Sequence, residues 1–335
     1  MVMMFGSSSI PVMTVALAPN NASISQSDYC AIATKDATKV RLVRPIVDGQ
    51  GFETCNPGAR IARFVTNSQT LTIKLAYTGL VTRVDTYNGI GWILVNGAKY
   101  QSFTYAKDIG HSNAVNVLVS FPSATYRTIE VLLPYCASVD FTGLEIESTA
   151  TITPAASRPS TRLLAMGDSI THGFYSTDES TSWPYLLGVD KGWEVVNTGY
   201  GSRRCYPSDA TNMAGLNPSV ASYLIGYNDF GGQVPLASFK SDYIAFVNNF
   251  RALYPTVKLY CITPLWTATV LAIPVESYRQ QIRDALTTLA NPLNVLVEGI
   301  TLTTGGAGSF NADGIHPNDT GAAEIASALA SILSV

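Results

Sequence analysis

The sequence predicts an all-β sandwich or jelly roll over residues 1–156, followed by an α/β part over residues 157–335 built on a doubly wound, five-stranded parallel sheet. Three observations point there. Apolar residues alternate with period two through the first half. From about Arg162 the pattern changes to short apolar runs separated by amphipathic helical stretches. The polar residues able to do chemistry then cluster just after those runs, where open α/β sheets bind their ligands. Residues 151–161, T-I-T-P-A-A-S-R-P-S-T, have no periodicity and read as the linker.

In the first half, Leu71, Ile73, Leu75 and Tyr77 alternate with Thr72, Lys74 and Ala76. Val115, Val117 and Val119 repeat the pattern, as do Ile129, Val131 and Leu133. Such runs are strands with one buried face. Trp92-Ile93-Leu94-Val95, Asn96-Gly97 and then 98–103 form a hairpin signal with a type I′ turn. Residues 141–148 close the set. Tyr87, Trp92, Tyr100, Phe103 and Tyr105 would suit a sugar-binding face if exposed, and are core packing if buried.

The second half opens with R-L-L-A-M-G-D-S-I-T-H-G at residues 162–173. Its apolar run is a buried parallel strand stopped by Gly167, where the chain turns without a clashing Cβ. Ser182-Trp183-Pro184 starts a helix, with Ser182 as cap and Pro184 in the first turn. Strands are expected at 193–196, 220–225, 257–262 and 293–297, and helices at 236–254, 276–290 and 319–333. The last helix is capped by Asn318 or Asp319.

Ser169, the turn at 199–202 and Asn228 all follow strands, so they share the carboxyl edge of the sheet. A serine in that turn is a nucleophile only if a base reaches it. The chain has three histidines, His111, His172 and His316, and only His316 lies in an Asp-x-x-His-Pro loop with Asp313 three residues earlier. His316 can serve as base and Asp313 can hold its tautomer.

Gly-Asp-Ser (167–169), the glycine turn after the second strand, Gly-x-Asn-Asp (226–229) and Asp-x-x-His-Pro (313–317) together resemble the sequence blocks of the SGNH hydrolases, the GDSL esterase/lipase superfamily. The resemblance runs from Arg162 to the C-terminus. It implies a flavodoxin-like three-layer fold and a serine esterase: Ser169 as nucleophile, His316 as base then acid, and Asp313 orienting His316. It also implies an oxyanion hole from the Ser169 N–H, an N–H at Gly201 or Ser202, and the Asn228 side chain. Here the chain departs from the family, whose glycine sits where this sequence has Ser202. The β part ahead of it resembles the family 2-type carbohydrate esterases, which remove acetyl groups from polysaccharides; this rests on the two-part arrangement and on residues 91–97. An acylated carbohydrate or other small ester is then the expected partner, acetylxylan-esterase-like deacetylation the expected reaction, and an extracellular or secreted site the favoured one. Lipid esters or thioesters are a second substrate class. A surface or virion binding protein that keeps a hydrolase fold is a non-catalytic alternative.

Trp266, Phe174, Tyr200 and Arg203 are candidate substrate contacts. Arg203 and Arg204 also read as a solvated surface pair, because arginine is usually exposed. Asp168 and Asp229 read as loop-ordering carboxylates, and Cys205 as a buried thiol. No cofactor is expected, and no metal, since no carboxylate–histidine cluster has ligand spacing. With 47% hydrophobic and 13% charged residues, a large core is available and disorder is not expected. A net charge of -3 without basic runs argues against nucleic acid. No apolar stretch is long enough to span a bilayer. Residues 1–18 lack the basic segment of a secretory signal, the first basic residue being Lys35. Cys30, Cys55 and Cys136 could supply one disulfide, though five cysteines leave at least one unpaired within the chain.

Overall fold

Period-two alternation in the first half becomes two antiparallel sheets. The computed structural model describes residues 13–25, 31–43, 58–80, 89–104 and 113–335. The strands are β1 (Thr14–Leu17), β2 (Ala31–Lys35), β3 (Val40–Val43), β4 (Arg60–Thr66), β5 (Thr70–Leu80), β6 (Gly91–Val95), β7 (Ala98–Phe103), β8 (Asn113–Ser120), β9 (Arg127–Leu132), β10 (Ala137–Glu147) and β11 (Ile152–Thr153). One sheet has the order β2-β3-β10-β5-β8, with β1 also pairing to β10; the other is β11-β4-β9-β6-β7. Leu71, Ile73 and Leu75 are buried, and they share one hydrophobic core with Phe64, Ile129 and Val131 of the second sheet. The hairpin closes at Val95 opposite Ala98. Asn96 and Gly97 have φ of 51° and 83°, the two left-handed residues that a type I′ turn needs.

Several expectations change. The start of the expected linker is held down: Ile152 and Thr153 pair with Thr66 and Val65 as an edge strand, and the Thr151 amide donates to Asn67 Oδ1 at 2.8 Å. Phe103 is core and Trp92 half-buried, whereas Tyr100 is exposed but donates its hydroxyl to Ser120 O at 2.6 Å. Cys136 is a free buried thiol. Cys30, Cys55, Tyr87, Tyr105, His111 and residues 1–12 lie outside the described residues.

The second half contains β12 (Arg162–Gly167), α1 (Ser169–His172), α2 (Trp183–Lys191), β13 (Glu194–Asn197), α3 (Pro207–Asn212), β14 (Val220–Leu224), α4 (Tyr227–Gly231), α5 (Leu236–Leu253), β15 (Lys258–Ile262), α6 (Val275–Leu289), β16 (Asn294–Val297), α7 (Gly306–Ser309) and α8 (Asp319–Ile332). The five strands are all parallel, in the order β13-β12-β14-β15-β16. In sequence terms this is 2-1-3-4-5, the flavodoxin-like order, whose switch point adjoins the first strand. Both faces of the sheet are covered. Leu164 and Met166 of β12 pack into the core that holds Phe239, Tyr243, Phe246 and Phe250 of α5. Their neighbours Leu163 and Ala165 face the opposite core, with Trp183 and Leu187 of α2 and Ile325 and Leu329 of α8. A strand buried on both sides reads as a continuous apolar run, which is what 163–166 shows. Ser182 occupies the N-cap of α2, but its hydroxyl donates to Glu179 Oε1 at 3.0 Å instead of capping the helix amides.

The two halves meet beside α1. The Tyr135 carbonyl accepts a hydrogen bond from His172 Nε2 at 2.6 Å. The Tyr135 hydroxyl donates to the Ser176 carbonyl at 2.9 Å. A carbonyl oxygen only accepts, so the fully buried His172 must carry its proton on Nε2. Phe174 stacks on its ring with centroids 4.5 Å apart.

Candidate active site

Ser169 begins α1 directly after β12, at the switch point of the sheet. A Cβ on Gly167 would lie 2.3 Å from both the Leu224 carbonyl and Thr171 Oγ1, so only glycine allows the strand to turn this tightly into the helix. Asp168 caps α1 by accepting the Ile170 amide at 3.0 Å, and Gly173 ends it in the left-handed conformation with φ of 101°. Asp168 is buried. Desolvation, aided by repulsion from Asp229 and opposed by the Ile170 amide and by His316, raises its carboxyl to about 7.

His316 arrives from the loop before α8. Its Nε2 lies 2.8 Å from Ser169 Oγ, and its Nδ1 lies 2.7 Å from Asp313 Oδ2. The other carboxylate oxygen, Asp313 Oδ1, accepts the amides of Ile315 at 2.9 Å and His316 at 3.1 Å. Partial burial works to raise the Asp313 pKa, but the His316 side chain and these two amides outweigh it and bring it below the usual value. An ionised Asp313 accepts from Nδ1–H, which leaves the Nε2 lone pair facing the serine hydroxyl. Asn311 closes the loop through its own amide to the His316 carbonyl at 2.9 Å and through Nδ2 to the His316 and Pro317 carbonyls at 3.1 Å. Thr267 Oγ1 and the Ala268 amide both donate to the Gly314 carbonyl at 3.0 Å. Nothing in the local sequence marks Asn311 or Thr267 for these roles, because their partners are backbone atoms.

The turn after β13 packs directly on α1. A Cβ on Gly199 would lie 2.2 Å from the His172 nitrogen. Asn197 bridges the two segments, donating to the Thr171 carbonyl at 2.8 Å and accepting the Gly199 amide at 2.9 Å. The Tyr200 amide donates to Gly167 O at 3.0 Å, whereas no hydrogen bond engages the Gly201 or Ser202 amide among the described residues. Gly201 is buried. Ser202 adopts φ of 62°, the backbone conformation that favours glycine. Asn228, in the first turn of α4, donates Nδ2 to the Arg203 carbonyl at 3.0 Å, which ties it to this turn and leaves its second N–H uncommitted.

Two candidate contacts are corrected. Tyr200 is fully buried, so its ring is core and not a pocket wall. Arg203 is not on the surface: its guanidinium is buried, pairs with both oxygens of Asp209 and lies 4.5 Å over the Tyr206 ring. The Asp209 carboxylate offsets the cost of burying that charge. Arg204 is exposed. Trp266 is half-buried and packs on Phe310 at 5.0 Å and on Gly305. Tyr175, at φ of 69°, lies 5.0 Å from the His316 ring, with Phe174 at 6.4 Å. Asp229 accepts the Cys205 amide at 3.1 Å, and burial raises its carboxyl to about 6. Burial likewise pushes the Cys205 thiol well above its ordinary value, so it stays an unreactive thiol. Among the described residues, no group of three or more His, Cys, Asp or Glu side chains could hold a metal ion, and no helix is long and apolar enough to cross a membrane.

Residues 165–324 match the model of the GDSL-like lipase/acylhydrolase family. No curated protein matches the chain by sequence. Among solved structures, the fold is similar to that of salicylyl-acyltransferase SsfX3 from a tetracycline biosynthetic pathway, at 16% identity and TM-score 0.82 over 94% of this chain and 95% of that one. It is also similar to a family two carbohydrate esterase from Cellvibrio japonicus, at 16% identity and TM-score 0.73 over 96% and 97% of the two chains. An acetyl xylan esterase from Butyrivibrio proteoclasticus gives 12% identity and TM-score 0.69 over 96% and 97%. These likenesses cover both halves of the chain and show a shared fold. The sequence blocks, the five-stranded parallel sheet and the match over residues 165–324 fall in the same stretch and together support assigning the second half of the chain to the SGNH hydrolase superfamily.

Proposed function

We propose that the protein is a serine esterase that removes short acyl groups, acetyl foremost, from a polysaccharide or oligosaccharide. The observation that carries this reading is the hydrogen-bonded chain from Ser169 Oγ through His316 to Asp313, with links of 2.8 and 2.7 Å. In this mechanism Ser169 Oγ attacks the ester carbonyl carbon while His316 Nε2 takes its proton. The tetrahedral oxyanion is held by the Ser169 N–H, an N–H of the Gly201–Ser202 turn and the uncommitted N–H of Asn228. One such donor is worth about 10²–10³ in kcat. Collapse breaks the ester C–O bond, and His316 returns the proton to the leaving alkoxide. Water, deprotonated by His316, then attacks the acyl-serine, and its collapse releases the carboxylate and restores Ser169. Asp313 holds the imidazole in the tautomer both steps need and stabilises the imidazolium. The bulk of Phe174 and Tyr175 beside His316 favours a short acyl group. Both likenesses to carbohydrate esterases favour a sugar as the alcohol, with the β half as an accessory or carbohydrate-binding part.

A second reading follows from the likeness to a salicylyl-acyltransferase. The same acyl-serine can be taken by an acceptor alcohol instead of water, which makes the protein an acyl transferase on unchanged machinery.

The test is acetate release from p-nitrophenyl acetate and a panel of acetylated polysaccharides. Wild-type release with preference for the polysaccharide, lowered about 10⁴-fold or more in Ser169→Ala, is the expected result. Turnover that survives Ser169→Ala removes Ser169 as nucleophile. Acetyl appearing on an added alcohol in preference to water selects the transferase reading. Inactivity on acetyl and longer acyl esters alike leaves the non-catalytic binding protein as the account of this chain.

A further inference from the structure

Away from Ser169, at the amino-terminal edge of the parallel sheet, a cleft of about 330 Å³ opens between the β half and the catalytic half. Its walls are Arg60, Arg63, Asn96, Gly97, Thr128, Glu130, Arg158 and Pro159. Three arginines converge there on Glu130: Arg158 Nη1 at 2.6 Å, Arg60 Nη1 at 3.5 Å and Arg63 Nε at 3.8 Å. Glu194 borders the cluster, but it is shared between Arg158 at 3.8 Å and Arg162 at 3.0 Å. Among the described residues, four guanidinium groups therefore face the two carboxylates of this cluster.

That imbalance is costly where it stands. Arg63 and Arg158 have side chains only 18% and 14% exposed, and Arg158 Nη2 is buried without a hydrogen-bond partner. Burial, with repulsion from Arg158 and Arg60, pulls the Arg63 guanidinium below its ordinary value despite Glu130. Buried positive charge in excess of its counter-charges persists when something else gains from it, and a guanidinium fork matches the two oxygens of a carboxylate, sulfate or phosphate. Other features suit a sugar ring. Asn96 accepts the Thr128 amide through Oδ1 at 2.9 Å, leaving its Nδ2 group for a ligand hydroxyl. A smaller hollow that shares Arg60, Arg158 and Pro159 continues the cleft along Tyr185 and Trp193. Tyr185 is buried there with Arg60 5.5 Å over its ring, so the half-buried Trp193 is the aromatic surface left beside the polar donors.

We propose that this cleft is a second binding site, which takes an acidic saccharide through the carboxylate of a uronic acid or an equivalent oxyanion. Arg60 and Arg63 hold the anionic group, and Asn96 and the Trp193 side of the adjoining hollow hold the ring that bears it. Arg162 begins β12 and Ser169 follows its end, so the cleft lies roughly 20 Å from the nucleophile at about 3.3 Å per strand residue. It can anchor a chain without entering the reaction, and it stands whether or not Ser169 turns over an ester.

Calorimetric titration of the full chain at low ionic strength tests this, with trigalacturonate, a neutral trisaccharide and inorganic phosphate as probes. Trigalacturonate is expected to bind saturably, at least tenfold more weakly in Arg60→Gln and Arg63→Gln, undiminished in Ser169→Ala, and more weakly at 0.5 M NaCl. Near-UV circular dichroism checks that both arginine variants fold. If they do not, wild-type NMR supplies the second readout: the Asn96 side-chain amide and the Trp193 indole shift on titration. Equal binding of the neutral trisaccharide, affinity indifferent to both arginines, or no saturable binding overturns the proposal. Phosphate binding without trigalacturonate binding overturns the saccharide as ligand.

Discussion

Asp168 adjoins Ser169, the proposed nucleophile, yet its carboxyl does no more than cap α1, and burial raises its pKa to about 7. The consequence for stability has a definite sign. Between the unfolded value of 3.8 and about 7, the folded state keeps a proton that the unfolded state releases, so stability falls as pH rises through that window and levels off above it. One such group contributes a slope of up to about 1.4 kcal/mol per pH unit. Asp229, raised to about 6, adds a second contribution of the same sign. Asp168→Asn is expected to flatten the fall by about one proton's worth while leaving the Asp229 part, as read by urea denaturation at pH 4, 5, 6 and 7. An unchanged slope would show that Asp168 is ionised in the folded protein at pH 5. At this scale Asp313 and His316 were legible together, since three residues of one loop suffice to bring carboxylate and imidazole into contact. Arg203 was not legible. Charge alone says exposed, and only the fold brings Asp209 from the following helix to its guanidinium.

At the scale of elements, the longer helices declared themselves. The apolar residues of α5 recur at helical spacing over 18 residues, long enough for periodicity to outweigh local noise. The short helices α3 and α4, of 6 and 5 residues, present too few turns for any period, and they follow from where Pro207 and Gly226 stop the preceding chain. The contact between the β13 turn and α1 is likewise invisible in either segment alone. It predicts the effect of one methyl group. Gly199→Ala must push the turn off the Thr171–His172 backbone, since its Cβ would lie 2.4 Å from the Thr171 carbonyl carbon. A displacement of about 1 Å between the Gly201–Ser202 amides and Ser169 costs roughly 10²-fold in kcat. The expected result on p-nitrophenyl acetate is that loss in kcat with KM changed far less. Wild-type kcat in Gly199→Ala would remove this turn from the proposed oxyanion hole.

Across the whole molecule, one hydrophobic core runs from Ile61 and Phe141 of the antiparallel sheets through Tyr135 and Phe174 to Met166 and Phe246 beside the parallel sheet. A smaller cluster of Leu94 and Leu132 with Tyr185 of α2 joins the halves a second time. The shift from period two to alternating strands and helices marked two kinds of architecture, but no sequence signal announced how firmly they are joined, because Tyr135 and His172 stand 37 residues apart and meet through a backbone carbonyl. The intact chain is expected to unfold in a single calorimetric transition. Residues 157–335 expressed alone would leave the His172 donor, Phe174 and Tyr185 without their partners. Losing three to four kcal/mol there corresponds to a melting point lower by about 10 °C, with esterase activity falling in parallel. Two separate transitions in the intact chain, or an isolated fragment with the full chain's melting point and turnover, would contradict this coupling. The Tyr135 clasp also bears on heredity. A fold whose Ser169-bearing helix is braced by a neighbouring part cannot exchange that neighbour without cost: recombination that imports a different β half must bring a hydrogen-bond acceptor to the same spot for His172.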